Sequence, residues 1–303
     1  LPDCGGVSKK SKGGKALKAM ITGGAGWMGK SLGRYLDVKG FETCSYDLVD
    51  GYDIANYDQL NEYINNENPD MIYHLAAQAF LGPGEEDPYN DIRVNQFGII
   101  NLLKCLEDKD IPMVYTSSGA VYGVGEIPHR ESNVCIPVSN YGVSKLAAEN
   151  YLRKWVVTTG IDAKVVRFSS VYGPHRKHGP VNIFINKALA NEPLTIFGTG
   201  AQTRDMLHIE DAVRGLDLVM ERGKRGEVYN IGIGEENSVA EVAKIIQRFL
   251  GAQVIYAKHD LSVFDLSRSW YDISKARTLG FRPRLDLTLG ISSTIFDMQE
   301  GKD

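Results

Sequence analysis

Short apolar runs alternate with amphipathic stretches along the first half of the chain. The runs are ALKAMI (16–21), FETCSY (41–46), DMIYHLAA (70–77), IPMVYTSS (111–118) and AKVVRFSS (163–170). Between them, apolar positions at helical spacing predict helices near 27–38, 57–66, 91–108 and 140–159. Strand–helix alternation of this kind predicts an α/β fold: a doubly wound, mostly parallel sheet with helices on both faces. Ligands of such sheets bind at the carboxyl ends of the strands, where the strand order reverses. The rhythm changes after residue 174. A Pro- and His-bearing loop, GPHRKHGP (173–180), leads to a helical VNIFINKALAN, a short strand LTIF, and helical HIEDAVRGLDLVMER and SVAEVAKIIQRFLG. This part reads as a smaller α/β lobe. The expected division is 16–174 for the sheet domain, with later segments free to return to it, and 175–303 mainly for the lobe. Residues 1–15, rich in Gly, Ser and Lys, read as a flexible leader.

Composition narrows the classes of function. The 303 residues are 43% hydrophobic and 24% charged, ordinary for a globular chain, and the net charge is −4. Such a chain has no electrostatic case for wrapping nucleic acid, so an anionic ligand must be met by a local group of cations. No apolar run approaches the roughly 18 residues of a membrane span. Cys4, Cys44, Cys105 and Cys135 are scattered without C-x-x-C spacing. They read as free thiols of a reducing compartment, and a cytoplasmic location is expected. His175 and His178 have no Cys or carboxylate beside them, so the loop reads as solvated or phosphate-facing, and no metal is expected.

The first apolar run leads straight into Thr22-Gly23-Gly24-Ala25-Gly26-Trp27-Met28-Gly29. Gly24, Gly26 and Gly29 satisfy G-x-G-x-x-G; Gly23, Gly26 and Gly29 satisfy the wider G-x-x-G-x-x-G. Without Cβ atoms the backbone can turn tightly and approach a pyrophosphate at a helix N-terminus. Asp47 follows Gly29 by 18 residues, close to the roughly 20 expected of a carboxylate on the adenosine ribose. A carboxylate there accepts two hydroxyls and repels a 2′-phosphate, which favours NAD over NADP. The alternative is a strand-end turn residue. Asp53 and Ile54 are candidates for holding the adenine, and Leu75, Ala76, Ala77 and Gln78 for lining the cofactor; both segments also read as plain structure.

Three further segments belong together. The fourth apolar run ends in Thr116-Ser117-Ser118, and Tyr141-Gly142-Val143-Ser144-Lys145 opens a helix downstream. Spacing of four places Tyr141 and Lys145 on one helix face, about 6 Å apart at Cβ. Tyrosine is a poor base at a pKa of about 10. A neighbouring ammonium and a cationic nicotinamide ring both favour the phenolate, and a shift of about 3 units makes Tyr141 a base near neutral pH. Ser118 can hydrogen-bond the same substrate hydroxyl. Y-x-x-x-K alone also occurs by chance on surface helices.

With these motifs in order, the sequence resembles the extended short-chain dehydrogenase/reductase family, in its NAD-dependent nucleotide-sugar epimerase and dehydratase branch, of UDP-glucose 4-epimerase type. The resemblance runs from about residue 17 to 299 and rests on TGGAGWMG, YD, HLAAQ, TSSGAVYG, YGVSK, VYGP, GTGAQTRDMLHIED and DISKARTLGF. It implies a Rossmann domain with a C-terminal sugar-nucleotide lobe, and Ser118, Tyr141 and Lys145 as catalytic residues. It implies NAD contacts from Trp27, Met28, Asp47, Asp53, Ile54, Ala76, Gln78 and Asn95. Sugar dehydratases of the family carry an acidic pair after the catalytic Ser or Thr; here Gly119 and Ala120 follow, which argues for oxidation and re-reduction at C4 of a nucleotide-diphosphate sugar, most plausibly UDP-linked.

For the substrate, Arg204 holds the family position of a diphosphate clamp, and a guanidinium grips phosphate bidentately. Its alternative is an ion pair with Asp205 or Asp211. Asn182, Ile183, Ile196 and Phe197 match nucleotide-lining segments. Two positions depart from the family: Ser170 replaces Asn before VYGP, and Ser262 replaces the Arg three positions before Asp265. Arg268 is a candidate replacement for that second clamp. Counting back from Asp272 places Ser269 against the hexose, leaving room for an N-acetyl group; a register shift of one puts Trp270 there. The resemblance also implies a homodimer through helices 91–108 and 140–159, with Leu102, Leu103, Leu106, Leu146, Tyr151 and Trp155 available for packing. Two rivals stay open: a net oxidoreductase acting on a keto sugar, and a non-catalytic dinucleotide sensor on the same fold.

Overall fold

The structure, a computed structural model, describes residues 16–79, 87–258 and 268–301. The leader 1–15 and Asp265 lie outside the described residues. The strands are β1 (Lys18–Thr22), β2 (Glu42–Tyr46), β3 (Met71–His74), β4 (Met113–Ser118), β5 (Ala163–Phe168), β6 (Ser170–Tyr172), β7 (Leu194–Phe197), β8 (Thr203–Arg204), β9 (Met206–His208), β10 (Val228–Ile231), β11 (Asn237–Ser238) and β12 (Val254–Ala257). Six of them form one sheet in the order β10-β5-β4-β3-β1-β2, and every pair in it is parallel. The order reverses between β1 and β3, which makes their carboxyl ends the switch point.

Helices cover both faces of this sheet, as its two-sided apolar strands demand. Ala19 and Ile21 of β1 face one layer and Met20 the other; Val114 and Tyr115 of β4 divide in the same way. The first layer is α1 (Trp27–Val38) with the helix Ile209–Arg222. The second comprises α2 (Tyr57–Glu67), the helix Gly98–Cys105 and the long helix Asn140–Thr159. A separate core gathers Tyr172, Phe184, Ile185, Leu194, Val242, Ile246 and Ile291 from the helices Pro180–Leu189, Val239–Leu250 and Leu287–Gln299 and the β7–β12 pair.

Several expectations shift in detail. The stretch expected as one helix over 91–108 runs from Pro88 to Cys105, and its middle, Ile92–Phe97, is wound as a π-helix. The helix Ile209–Arg222, read with the smaller lobe, packs on the sheet, where Ala212, Val213, Leu216 and Val219 cover it. Strand β10 also returns to the sheet, beside β5. Leu102, Leu103 and Leu106 are fully buried under the sheet and are unavailable to a partner. The large apolar side chains exposed on these helices are instead Tyr89, Ile92, Phe97, Val143, Tyr151 and Val157. Among the described residues no helix is long and apolar enough to cross a membrane.

Candidate active site

The carboxyl ends of β1 to β5 open into a cavity of about 850 Å³. Its floor at the switch point is the glycine turn. Gly23 has φ +74°, and a Cβ on it would stand 2.8 Å from the Ala76 nitrogen. A Cβ on Gly29 would come within 2.2 Å of the Gly23 carbonyl oxygen, so the helix could not start so close to the strand. Helix α1 begins directly after, with no side-chain cap and no acidic residue in its first turn. Its first N–H groups are therefore open to an anion. This cradle fits a dinucleotide pyrophosphate.

Asp47 directly follows β2 and caps the short turn Leu48–Asp50. One carboxylate oxygen accepts from the Ala25 N–H in the glycine turn at 3.0 Å, the other from Val49 N–H at 3.0 Å. Each oxygen keeps a lone pair for a ribose hydroxyl, and Asp47 lines the cavity. Asp53 and Ile54 line it too, Asp53 paired with Arg93 at 2.6 Å. Leu75, Ala76, Ala77 and Gln78 continue from β3 along the wall, as do Gly26, Trp27, Met28 and Gly29. Asn95 does not line the cavity. Buried, it accepts from the Gln78 N–H at 2.9 Å and donates to the Gln78 carbonyl at 3.1 Å and to Ser144 Oγ at 2.9 Å. Its amide pins the cofactor-side loop to the helix Asn140–Thr159.

That helix is capped by Ser139, whose hydroxyl accepts from the Gly142 N–H at 3.1 Å, and the cap presents Tyr141 in the first turn. Tyr141, Lys145 and Ser118 all line the cavity. Lys145 is buried, donates from Nζ to the Thr116 carbonyl at 2.8 Å and lies 4.6 Å over the Tyr115 ring. Burial lowers its pKa to about 7, against the opposing pull of Glu149 and Asp91. Burial raises the Tyr141 phenol above its ordinary value; a hydrogen bond with Ser118 and the charge of Arg176 draw it back, and Asp91 opposes them. The sequence reading assigned the helping charge to Lys145. Arg176 adds a second helping charge, from the loop expected to be solvated or phosphate-facing.

The remaining candidates divide. Ser170, Arg204 and Ser269 line the cavity, and Trp270 does not. Arg204 donates from Nη1 to the Thr203 carbonyl at 2.7 Å. Asp205 is engaged with the N–H groups of Ile233 and Gly234, and Asp211 with Arg214. Asn182 is fully buried and holds the Gly173 carbonyl at 2.6 Å, away from the cavity wall. Arg268 lies outside the lining, in a bidentate pair with Glu236 at 2.6 Å for both bonds. Its guanidinium is turned to Glu236 and not into the cavity. Tyr271, unforeseen, lines the cavity, and burial raises its phenol to about 12. Among the described residues no group of His, Cys, Asp and Glu converges as for a metal.

A Rossmann sheet with a glycine-turn cradle, a carboxylate after its second strand and a Ser/Tyr/Lys set lining one cavity at its strand ends is the arrangement of the short-chain dehydrogenase/reductase type. The chain belongs to the NAD dependent epimerase/dehydratase family, whose model matches residues 19–232. NAD is its cofactor. A putative UDP-glucose 4-epimerase of Methanocaldococcus jannaschii is 33% identical over 91% of this chain and 96% of its own. The UDP-glucose 4-epimerase of Thermotoga maritima, solved with UDP-glucose, superposes with a TM-score of 0.88 at 26% identity, over 95% of this chain and all of that one. That of Thermus thermophilus, solved with NAD, gives 0.85 at 28% identity, over 95% of this chain and 100% of that one. Relatives also include a dTDP-D-glucose 4,6-dehydratase of Dictyostelium discoideum, 30% identical over 76% of this chain and 61% of its own.

Proposed function

We propose that the chain inverts C4 of a UDP-linked hexose through a transient 4-keto sugar. Tyr141 takes the proton of the 4-hydroxyl, Ser118 holds that oxygen, and the buried Lys145 fixes the helix turn that carries Tyr141 against the Thr116 carbonyl. The dinucleotide that the Gly23–Gly29 turn and Asp47 would hold supplies the redox chemistry, a hydride taken from C4 and given back to the opposite face of the ring, while the hydroxyl proton goes to Tyr141 and returns from it. Arg204 meets the diphosphate from the smaller lobe.

The observation that carries this reading is at Gly119. A Cβ there would lie 1.7 Å from the Tyr271 hydroxyl. The Tyr271 phenol occupies the space beside Gly119, and neither Gly119 nor Ala120 carries an acidic side chain. The lack of a side-chain acid at positions 119 and 120 supports oxidation at C4 followed by re-reduction over elimination of water.

Ser269 beside the sugar end leaves volume for an N-acetyl group at C2, so N-acetylated UDP-hexoses are expected as substrates with UDP-glucose and UDP-galactose. A second copy of the chain is expected on the exposed face of Tyr89, Phe97, Val143 and Tyr151. The test is a panel of UDP-sugars followed by NMR with wild type and Ser269→Tyr. Interconversion of C4 epimers, with only the N-acetylated pair lost in the variant, is the expected result. A 4-keto-6-deoxy product, or steady consumption of free NAD, would replace the reading by dehydration or net oxidation.

A further inference from the structure

Trp27 opens the helix after the glycine turn, so its main chain belongs to the pyrophosphate cradle. Its side chain reaches the loop that follows β6. The indole Nε1 donates to the Pro174 carbonyl at 2.6 Å, across 147 residues of chain. The Arg176 guanidinium lies over the same ring, 5.2 Å from its centroid. A Cβ on Gly173 would come within 3.3 Å of the indole, so the loop is packed directly against it.

The loop is held in an unusual backbone conformation. Gly173 has φ +157°, Gly179 φ +90°, and His175 adopts φ +60° although it carries a Cβ. Asn182 braces one end through Gly173, and Arg176 donates to the Val171 carbonyl. To those anchors the indole adds a hydrogen bond to Pro174 and a ring face to Arg176. Arg176 lines the cavity with Ser118 and Tyr141, and its charge is felt at the phenol.

We propose that Trp27 is a positioning residue that ties the loop 173–176 to the dinucleotide turn, so that occupancy of the turn fixes where Arg176 stands beside Tyr141. Tryptophan suits this place because its ring offers a face to the guanidinium and its edge an N–H to the carbonyl. Phenylalanine keeps the face and loses the donor; alanine loses both. The kinetic part of the inference rests on the C4 reading given above, and the coupling itself does not.

The bond between Lys177 and His178 is exposed and is a trypsin site, which makes it a reporter of the loop. Cleavage there is timed in protein stripped of NAD and after saturating NAD is restored, in wild type, Trp27→Phe and Trp27→Ala, with NAD binding measured separately by calorimetry. NAD is expected to slow cleavage of wild type. Protection should fall about three- to tenfold in Trp27→Phe, the range for one lost hydrogen bond, and vanish in Trp27→Ala. In turnover, Trp27→Phe should lower kcat with KM little changed. Equal protection of wild type and Trp27→Phe, or no protection of wild type, overturns the proposal; the phenylalanine variant decides alone where the alanine variant does not fold. The proteolysis contains no sugar nucleotide, so inactivity toward UDP-sugars would count against the proposed function and leave this coupling standing.

Discussion

Behind Ser118 lies a buried ion pair whose removal has a calculable cost. Glu149, one turn beyond Lys145, accepts from Arg167 Nε at 3.0 Å and Nη2 at 2.6 Å, and from the Ser117 hydroxyl. The side chains of Arg167 and Glu149 are 3% and 1% exposed. The guanidinium also lies 4.7 Å from the centre of the Tyr122 ring. The cluster therefore joins β4, β5 and the helix bearing Tyr141 at one point. Arg167→Met keeps a long apolar stem against Tyr122 and leaves the carboxylate with Ser117 alone. Breaking one partner of such a pair costs about 3–5 kcal/mol, because a charge stays buried without its counter-charge. With an unfolding entropy of about 2 cal/mol/K per residue, a loss of 4 kcal/mol lowers Tm by about 6 °C for a chain of this length. Replacing both partners, in Arg167→Met with Glu149→Leu, removes the orphaned charge and should recover at least half of that loss. Urea unfolding and calorimetry at saturating NAD measure all three proteins. A single variant within 1 kcal/mol of wild type, or a double variant no better than the single, would refute the argument that the pair is a buried charge clamp.

Three further outcomes follow from the site. Tyr141→Phe should lower epimerase turnover by about 10²–10⁴, the usual contribution of general acid–base catalysis, while NAD stays bound; near-normal turnover in NMR assays would remove Tyr141 as the base. Gly29→Ala places a methyl group 2.2 Å from the Gly23 carbonyl oxygen and should abolish NAD retention through purification, read by acid release and chromatography, so a full complement of NAD would contradict the cradle. Burial and the nearby Lys145 lower the pKa of His74 from 6.5 to about 3. Below pH 6.5 the unfolded chain binds a proton that the folded chain refuses, so stability falls with pH from 6.5 toward 3. Between pH 7 and 5 wild type should lose about 2 kcal/mol that His74→Asn does not lose, and parallel urea midpoints for the two proteins would contradict it.

The layered fold was legible because βαβ periodicity is local. Met20 and Ile21 divide between two faces by strand alternation alone, and helix α1 follows its glycines at the expected place. The fate of helix Ile209–Arg222 was not legible. Its apolar stripe says that it covers something, and only the three-dimensional path says that this is the first sheet. At the site, turn residues were found because their chemistry is carried by spacing: Gly23, Gly26, Gly29, Asp47, Tyr141 and Lys145 all line the cavity. Residues whose role depends on a distant partner were not. Asn95 and Asn182 brace main chain out of the cavity, Arg268 is drawn off by Glu236 across 32 positions, and Tyr271 reaches back over Gly119. Arg176 had a signal, a cation after Gly-Pro in a loop leading from a strand end and expected to be solvated or phosphate-facing, but spacing alone does not say that it faces Tyr141.

The central claim is that hydrogen leaves C4 of the sugar and returns to the same carbon. UDP-glucose carrying deuterium at C4, incubated with the purified protein and followed by NMR and mass spectrometry, tests it directly. The account predicts UDP-galactose with the deuterium still at C4 and no labelled NADH in solution. Deuterium appearing in free NADH, or C4 carrying hydrogen from solvent, would contradict it.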